Sequence, residues 1–436
     1  MTRAHRPREI HLEVDLTLER QTRGRYIEVS FHLDPGAASF EVQVSLDGAG
    51  ADAAVVDLGC VGPQGWRGWS GGARSRFMIG EQTATPGYSA GPLEPGRWAV
   101  VLGIHAVPVG SVRAVVRVLS PAGHTPEHGE PVAPEPPGPR GSDRSLPAPE
   151  GMRWLAGDMH SHSLHSDGNC GLDEVAREGV RSGLDFLVVT DHNTVSHHQH
   201  LEDAGSRQGI LLLPGQEVTS HRGHANAFGP IGAVDFREDI DEWAHDVEAA
   251  GGLLSVNHPV SGDCAWLETV PAQVSGVEII HADLYAAPAS TAAFAWLALV
   301  DRSRELAGQR PLTLLGGSDF HSLDTPIRPG TPTTWVCVEE ASPAGVLDAL
   351  RAGRTTVTSS ASLVDGALRP DLLSSPILLR RDEDSLVVLN AEGMVLVDRA
   401  GRRRFIPSRE LTATASLADG PYRVETAERA TAAICR

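Results

Sequence analysis

The stretch GDMHSHSLHSDG, residues 157–168, follows the apolar run Trp154-Leu155-Ala156 and places histidines and aspartates where a buried strand should end. Three further strings repeat this arrangement after apolar runs: VVTDHNT at 188–194, NHP at 257–259 and GGSDFH at 316–321. Loops that leave the carboxyl ends of parallel strands converge on one rim of an α/β barrel. Metal-binding side chains at four such strand ends therefore predict an α/β fold with a polynuclear metal site.

Length, charge and cysteine content exclude several classes of protein. The chain has 436 residues, enough for two or three domains, and a formal net charge of −19. This charge disfavours nucleic acid or an anionic membrane as partner, so a small-molecule substrate is expected. No stretch approaches the roughly 18 apolar residues of a membrane span, and no signal-like segment begins the chain, which predicts a cytoplasmic protein. Five cysteines without a C-x-x-C pair predict free thiols.

Four regions differ in pattern along the chain. Residues 1–119 carry short alternating apolar runs between Gly/Pro turns, which predicts an all-β sandwich or jelly roll. Residues 120–151 are rich in Pro and Gly and predict an extended linker. Residues 152–362 alternate strands and helices and predict a parallel barrel, whereas residues 363–436 predict a β-rich C-terminal segment. The predicted barrel strands, about seven, begin near residues 153, 185, 210, 225, 253, 277 and 312, with helices over 172–182, 239–250, 289–307 and 343–351.

Residue types and spacing in the four strings suit a catalytic metal. His160 and His162 are two residues apart, as are Asp319 and His321, and a strand period of two aims both members of a pair to one side. Imidazoles and carboxylates without thiolates suit zinc, manganese or iron in an open site. The alternative, ordinary polar residues at strand ends, is less favoured because four separate strand ends share this chemistry.

One more carboxylate ends a strand between these strings. Glu217 closes the run that begins at Ile210, and His221 and His224 follow it. Either histidine could reach the site. We prefer His224, because it begins a new strand.

Together the four strings resemble the motifs of the polymerase and histidinol phosphatase (PHP) metallohydrolases over residues 154–325. The resemblance implies a distorted seven-stranded (β/α)7 barrel that holds two or three divalent metal ions. It implies one ion on His160, His162, Glu217 and Asp319, a second on Glu217, His224 and His258, and a third on Asp167, His192 and His321.

The first region is similar to one branch of that family. GWRGWSGGAR at 65–74 and GPLEPGRW at 91–98 are similar to the N-terminal domain of the carbaryl hydrolase-like branch. That branch includes esterases that act on aryl carbamates as well as phosphoesterases, so the resemblance implies no single substrate. Packing and homo-oligomer formation are the expected roles of this β region, with glycan or protein binding as the alternative.

The predicted activity is phosphoester hydrolysis by a metal-bridged hydroxide, with Asp319, His321 and His192 at the catalytic centre. One alternative is a carbamate or carboxyl ester hydrolase. Another, from a different class, is a non-catalytic PHP scaffold module, which the apparently complete ligand set disfavours.

Substrate contacts are expected from loops that leave the same rim. Arg222, Arg328 and His221 lie in such loops and could bind an anionic group. Surface roles are an equally good interpretation of these three residues.

Other polar residues near the strings are expected to support the site or to be unrelated to it. Asp158, Asp191 and Asn257 are predicted to hydrogen-bond ligand imidazoles. The histidine-rich run at 197–200 predicts a solvated loop or a helix start. Ser70 fits a G-x-S-x-G pattern but lacks the strand before and helix after that a nucleophile requires.

Overall fold

The computed structural model describes residues 9–19, 24–48, 51–107, 111–285 and 292–436. The fold is mixed α/β, with one large sheet and few helices. The chain divides into two compact units. The first unit comprises residues 1–129, 164–168 and 191–199, and the second unit comprises residues 130–163, 169–190 and 200–436.

The first unit contains two four-stranded antiparallel sheets. Its described strands are β1 (Glu9–Glu19), β2 (Tyr26–Leu33), β3 (Ser39–Asp47), β4 (Val55–Gly62), β5 (Gly65–Gly71), β6 (Arg76–Gly80), β7 (Gly96–Ala106) and β8 (Ser111–Ser120). The sheet orders are β1-β8-β3-β6 and β2-β7-β4-β5. Phe40 on β3 contacts Trp98 on β7 with ring centroids 5.2 Å apart, so one apolar core joins the two sheets.

Seven strands of the second unit begin within two residues of their predicted starts. They are β9 (Arg153–Asp158), β10 (Phe186–Val189), β11 (Leu211–Ser220), β12 (Gly223–Phe228), β13 (Leu253–Val256), β14 (Gly276–His281) and β15 (Thr313–Gly317). They lie side by side in chain order. The prediction of an all-parallel arrangement is wrong for β12, which is antiparallel to both neighbours. Only His221 and Arg222 connect β11 to β12, too few residues for the crossover that parallel strands need.

The remaining strands of the second unit extend the same sheet or lie near it. They are β16 (Thr333–Val338), β17 (Thr355–Thr358), β18 (Ala361–Val364), β19 (Ala367–Pro370), β20 (Ile377–Asp382), β21 (Ser385–Leu389), β22 (Val395–Val397), β23 (Arg403–Phe405), β24 (Glu410–Thr414), β25 (Tyr422–Glu425) and β26 (Thr431–Cys435). The large sheet continues from β9 through β16, β17, β26, β25, β22 and β23. The C-terminal strands therefore complete the sheet that begins with β15.

Five α-helices occur among the described residues: α1 (Leu172–Arg181), α2 (Leu201–Gln208), α3 (Ile240–Ala249), α4 (Ala292–Leu306) and α5 (Pro343–Arg351). Four were predicted, although positions 289–291 of the third predicted helix lie outside the described residues. Helix α5 begins as its sequence indicates, because the Ser342 hydroxyl accepts from the Gly345 amide at 3.1 Å and proline occupies the first turn. None of the helices in the described part of the chain is long and apolar enough to cross a bilayer.

The segments that follow β9 and β15 lie next to each other. Ser161 and Phe320 form a parallel bridge, and the His162 amide donates to the Phe320 carbonyl at 2.8 Å. Gly317, the last residue of β15, allows this approach, because a Cβ atom there would lie 2.4 Å from the His160 Cβ. The fold thus brings the segment that carries His160 and His162 next to the segment that carries Asp319 and His321.

Candidate metal centre

Four of the predicted ligands surround one point in the second unit. His160 Nε2 lies 3.2 Å from Glu217 Oε2 and 3.1 Å from Asp319 Oδ1. His162 Nε2 lies 3.3 Å and 2.9 Å from the same two oxygens. A tetrahedral ion with bonds of about 2.0–2.2 Å separates its ligand atoms by roughly 3.3–3.6 Å. The four side chains therefore fit a single divalent ion.

The other oxygen of Glu217 faces a second pair of histidines. Glu217 Oε1 lies 3.1 Å from His224 Nδ1 and 3.4 Å from His258 Nε2. Asn257 Nδ2 donates to the same oxygen at 2.9 Å and fixes the carboxylate plane. Each oxygen of the Glu217 carboxylate therefore faces its own pair of histidine nitrogens.

Burial and charge make this cluster suited to cations. His160, His162 and Glu217 are fully buried. Burial would raise the pKa of Asp319, but charge on His160 and hydrogen bonds from His162 and His281 hold it well below its usual range. Burial would lower the pKa of His160, but the neighbouring carboxylates, Glu217 first, raise it well above its usual range. Buried carboxylates surrounded by imidazoles are an environment that suits divalent ions.

Two residues of β14 belong to this cluster and were missed in the sequence. Both Glu278 oxygens lie 3.3 Å from His160 Nδ1, and one of them accepts from the His258 amide at 3.1 Å. His281 Nε2 lies 3.3 Å from Asp319 Oδ2. The register of β14 against β15 shifts after Glu278. This shift explains why Glu278 and His281, an odd number of residues apart on one strand, both reach the site. The available signal was a carboxylate inside the otherwise apolar run 277–280.

The strand-alternation argument for Asp319 and His321 is wrong. Strand β15 ends at Gly317, and Asp319 has a φ of 51°, in the left-handed region that β-strand residues do not occupy. His321 instead stacks on His162 with ring centroids 4.1 Å apart. The His321 Nδ1 donates to the Asp319 carbonyl at 2.7 Å, which leaves Nε2 as the nitrogen with a lone pair.

The predicted ligand His258, like Asp319, has a positive φ, of 24°. Such strain is typical of functional sites.

The first unit contains two predicted ligands of the third ion. His192 Nε2 lies 3.8 Å from Asp167 Oδ2, with side chains 20% and 48% exposed. His321, the other predicted ligand of that ion, belongs to the second unit. A third ion site therefore remains a prediction.

The three predicted substrate contacts have structural partners or an exposed position. Arg222 pairs with Glu268, and His221 is exposed in the turn between β11 and β12. Arg328 donates to the carbonyls of Leu323, Thr325 and Ile327. These contacts disfavour Arg222 and Arg328 as ready anion-binding groups.

The three residues expected to hydrogen-bond ligand imidazoles have other partners. Asp158 accepts from backbone amides rather than from imidazoles. Asp191 Oδ2 lies 3.2 Å from Nδ1 of His197, which is fully buried. Of the two interpretations of residues 197–200, the helix start is confirmed, because His198–His200 form a 3-10 turn that leads into α2. Asn257 donates to the side chain of a predicted ligand, the Glu217 carboxylate. The five cysteines are free, as predicted.

No protein-family model matches the chain. The chain is 30% identical over 64 residues to the phosphoribosyl 1,2-cyclic phosphate 1,2-diphosphodiesterase of Eggerthella lenta, covering 15% of this chain and 24% of that protein. It is 31% identical over 64 residues to the 5'-3' exoribonuclease of Haemophilus influenzae, covering 15% of this chain and 23% of that protein. The matches thus span about a quarter of the length of these curated relatives.

Two solved structures are similar in part. One is a two-domain protein from Bacteroides vulgatus that contains a predicted PHP-like metal-dependent phosphoesterase, with 21% identity, a TM-score of 0.38 and coverage of 67% of this chain and 89% of that chain. The other is an amidohydrolase from Chromobacterium violaceum, with 18% identity, a TM-score of 0.29 and coverage of 49% of this chain and 93% of that chain.

Proposed function

We propose that the chain is a metal-dependent hydrolase of the PHP type, with residues 152–362 as its distorted seven-stranded barrel. The observation that carries the proposal is the position of Glu217. One of its oxygens lies 3.2 Å and 3.3 Å from two histidine nitrogens, and the other lies 3.1 Å and 3.4 Å from two more. A fully buried carboxylate in this position is expected between two cations.

The donor set fits zinc, manganese or iron, because it combines imidazole nitrogens and carboxylate oxygens without thiolates. When bound, such ions lower the pKa of water and stabilise negative charge on the substrate oxygens. In this proposal one ion is held by His160, His162, Glu217 and Asp319, a second by Glu217, His224 and His258, and a third by Asp167, His192 and His321.

Neighbouring groups fix the ligands before any ion binds. Glu278 accepts from His160 Nδ1, so Nε2 of that ring is the nitrogen directed at Glu217 and Asp319. Asn257 donates to the other Glu217 oxygen, Oε1. Preorganised ligands reduce the reorganisation that metal binding and catalysis require.

A phosphoester is the favoured substrate class. The partial likeness to a diphosphodiesterase and an exoribonuclease supports it. A carbamate or carboxyl ester is the second candidate, favoured by the engagement of Arg222 and Arg328 with other partners. A neutral ester needs no guanidinium clamp before attack. A non-catalytic scaffold fits less well, because such a module has no need for this ligand geometry.

Elemental analysis of protein purified without added metal, paired with hydrolysis assays, tests the proposal. The assays would compare p-nitrophenyl phosphate, bis(p-nitrophenyl) phosphate and an aryl carbamate. We expect two or three transition-metal ions per chain and fastest turnover of a phosphoester. Fewer than two ions per chain after careful handling would contradict the metal centre, and fastest turnover of the carbamate would overturn the substrate class.

A pair of variants distinguishes the site from general stability. Asp319→Asn should lower kcat/KM at least about a hundredfold, because it weakens a charged ligand. Asp301→Asn is the matched control, since Asp301 is a buried carboxylate of the same unit that pairs with Arg436 at 2.8 Å. The control should retain activity. Equal activities of the two variants would show that the site is misassigned.

A further inference from the structure

The two loops that carry Asp167 and His192 belong to the first unit, although its β-strands lie far away in sequence. These loops are residues 164–168 and 191–199. Each is hydrogen-bonded to the strand-and-turn region 65–88. The β-strands of the first unit therefore contact the segments that bear two predicted ligands of the third ion.

Arg74 holds the first loop. It follows β5, and its guanidinium donates from Nη2 to the Leu164 carbonyl at 2.5 Å and from Nη1 to the Ser166 carbonyl at 3.2 Å. Ser166 is the residue directly before Asp167. Two bonds from one planar group fix both the position and the direction of the chain at that point.

Trp66 and a turn at Gly87 hold the second loop. Trp66 Nε1 donates to the carbonyl of Asn193, the residue directly after His192, at 3.0 Å. The Gly87 amide donates to Ser196 Oγ at 3.0 Å, and its carbonyl accepts from Thr194 Oγ1 at 2.7 Å. A side chain at residue 87 would lie 2.9 Å from the carbonyl oxygen of residue 165, so the close approach requires glycine.

The two loops are also tied to each other beside the ligands. Ser166 Oγ donates to Asp191 Oδ1 at 2.6 Å, and these two residues directly precede Asp167 and His192. Buried His197 holds the other Asp191 oxygen. The hydrogen bonds therefore converge on the backbone that flanks the ligand pair, whereas the Asp167 carboxylate itself is 48% exposed.

We propose that the β-strands of the first unit position Asp167 and His192 to hold the third ion, with Arg74 and Trp66 as the positioning residues. The β region then has a role in placing two predicted metal ligands of its own unit, which goes beyond the packing and oligomerisation roles expected from its sequence. This inference rests on the proposed function, because the third ion is one of the ions that the proposed hydrolase would bind.

The test is a metal titration of the full chain. Arg74→Ala removes both bonds to the first loop, and Trp66→Phe removes only the indole donor while it keeps a ring in place. Arg144→Ala is the matched control, because Arg144 also donates to two carbonyls, of Leu372 and Ser375, but in the second unit. Elemental analysis after equilibration with zinc gives the stoichiometry, and calorimetric titration of metal-depleted protein gives the affinities.

We expect three ions in the wild type and in the control. The Arg74 and Trp66 variants should bind the weakest ion at least about tenfold more weakly, with the other two ions retained. The thermal midpoint separates this from unfolding, since the control should lose similar stability without losing metal. Should Arg74→Ala fail to fold, Trp66→Phe alone decides the result.

The outcomes separate this inference from the function on which it rests. A wild type with two tightly bound ions and no third would overturn the inference and leave the hydrolase proposal intact. Three ions of unchanged affinity in folded Arg74 or Trp66 variants would also overturn it. Fewer than two ions in the wild type would overturn the proposed function itself.

Discussion

The carboxylate of Asp158 accepts a hydrogen bond from the backbone amide of Ser318 at 3.0 Å, across 160 residues of sequence. It also accepts from the amides of His160 at 3.1 Å and Gly330 at 2.6 Å. Burial raises the pKa of Asp158 to about 6, against the effect of these bonds. One buried side chain thus fixes the two segments that carry His160 and Asp319.

Asp158→Asn should lower the free energy of unfolding by about 1–3 kcal/mol. The reason is that the asparagine NH₂ group would lie against a backbone N–H that bonds to the carboxylate in the wild type, and that N–H would lose its acceptor. It should also weaken metal binding, since the two ligand segments separate. Urea denaturation and metal titration measure the two effects. Asp185→Asn is the control, because Asp185 also accepts from two backbone amides, of Ser142 and Ala156, outside the ligand cluster. Equal metal affinities in the two variants would contradict the role of Asp158.

Glu278→Gln should lower the affinity for the ion on His160 by about ten- to a hundredfold. Glu278 accepts from His160 Nδ1 at 3.3 Å and from the His258 amide at 3.1 Å. Glutamine would accept more weakly from His160 Nδ1, and its NH₂ group would face one of these two donors. Glu178→Gln is the matched control, since Glu178 is a buried carboxylate paired with Arg369 at 2.9 Å. The control should bind metal like the wild type. Unchanged affinity of the Glu278 variant would show that this contact is dispensable.

Arg328→Ala should reduce stability rather than catalysis. The side chain donates to three carbonyls in residues 323–327 and lies 3.6 Å from the buried Glu178 carboxylate, so its loss should cost about 1–3 kcal/mol. We expect a lower thermal midpoint and a kcat/KM within about threefold of the wild type. A tenfold or larger loss of kcat/KM at an unchanged thermal midpoint would restore Arg328 as a substrate contact.

Arg222→Ala, at a half-exposed ion pair, should change stability by less than about 1 kcal/mol.

Glu41 in the first unit should make stability depend on pH. Burial would raise its pKa, but hydrogen bonds from Gln43, the Gly123 amide and His124 hold the pKa at about 2, below its ordinary value of 4.5. A depressed pKa in the folded state stabilises the protein above pH 4.5 and loses that contribution as the pH falls through 2. Glu41→Gln should therefore cost about 1.5–3 kcal/mol near pH 6, and less at lower pH. Chemical denaturation at several pH values measures this difference. A difference that stays constant down to pH 2.5 would contradict the assignment.

The sequence predicted the elements that local pattern determines. The starts of β9–β15 were predictable because each strand is a buried apolar run between turn residues. Helix α2 was missed because it has only 8 residues with Gly205 among them, so it has little periodicity. The pairing of β17 with β26 was not predictable, because it joins segments far apart in sequence.

The candidate site was predicted through residue type more than through strand geometry. The histidine-aspartate strings identified residues that the fold brings together, including His160, Glu217 and Asp319. The directions of His160 and Asp319 were not predictable from a period of two, because both residues lie beyond the ends of their strands and Asp319 adopts a left-handed backbone. Glu278 was missed because a charged residue within an apolar run has no local signature of what it contacts.

The position of β26 has a consequence for how the chain folds during synthesis. Residues Thr431–Cys435 lie between β17 and β25 and pair with both. Until they leave the ribosome, the backbone N–H and C=O groups on one side of Thr355–Thr358 have no strand to bond. Such an open edge is a template for pairing with another chain. A nascent chain from which residues 431–435 have not yet emerged therefore exposes this edge of β17 to pairing with another chain.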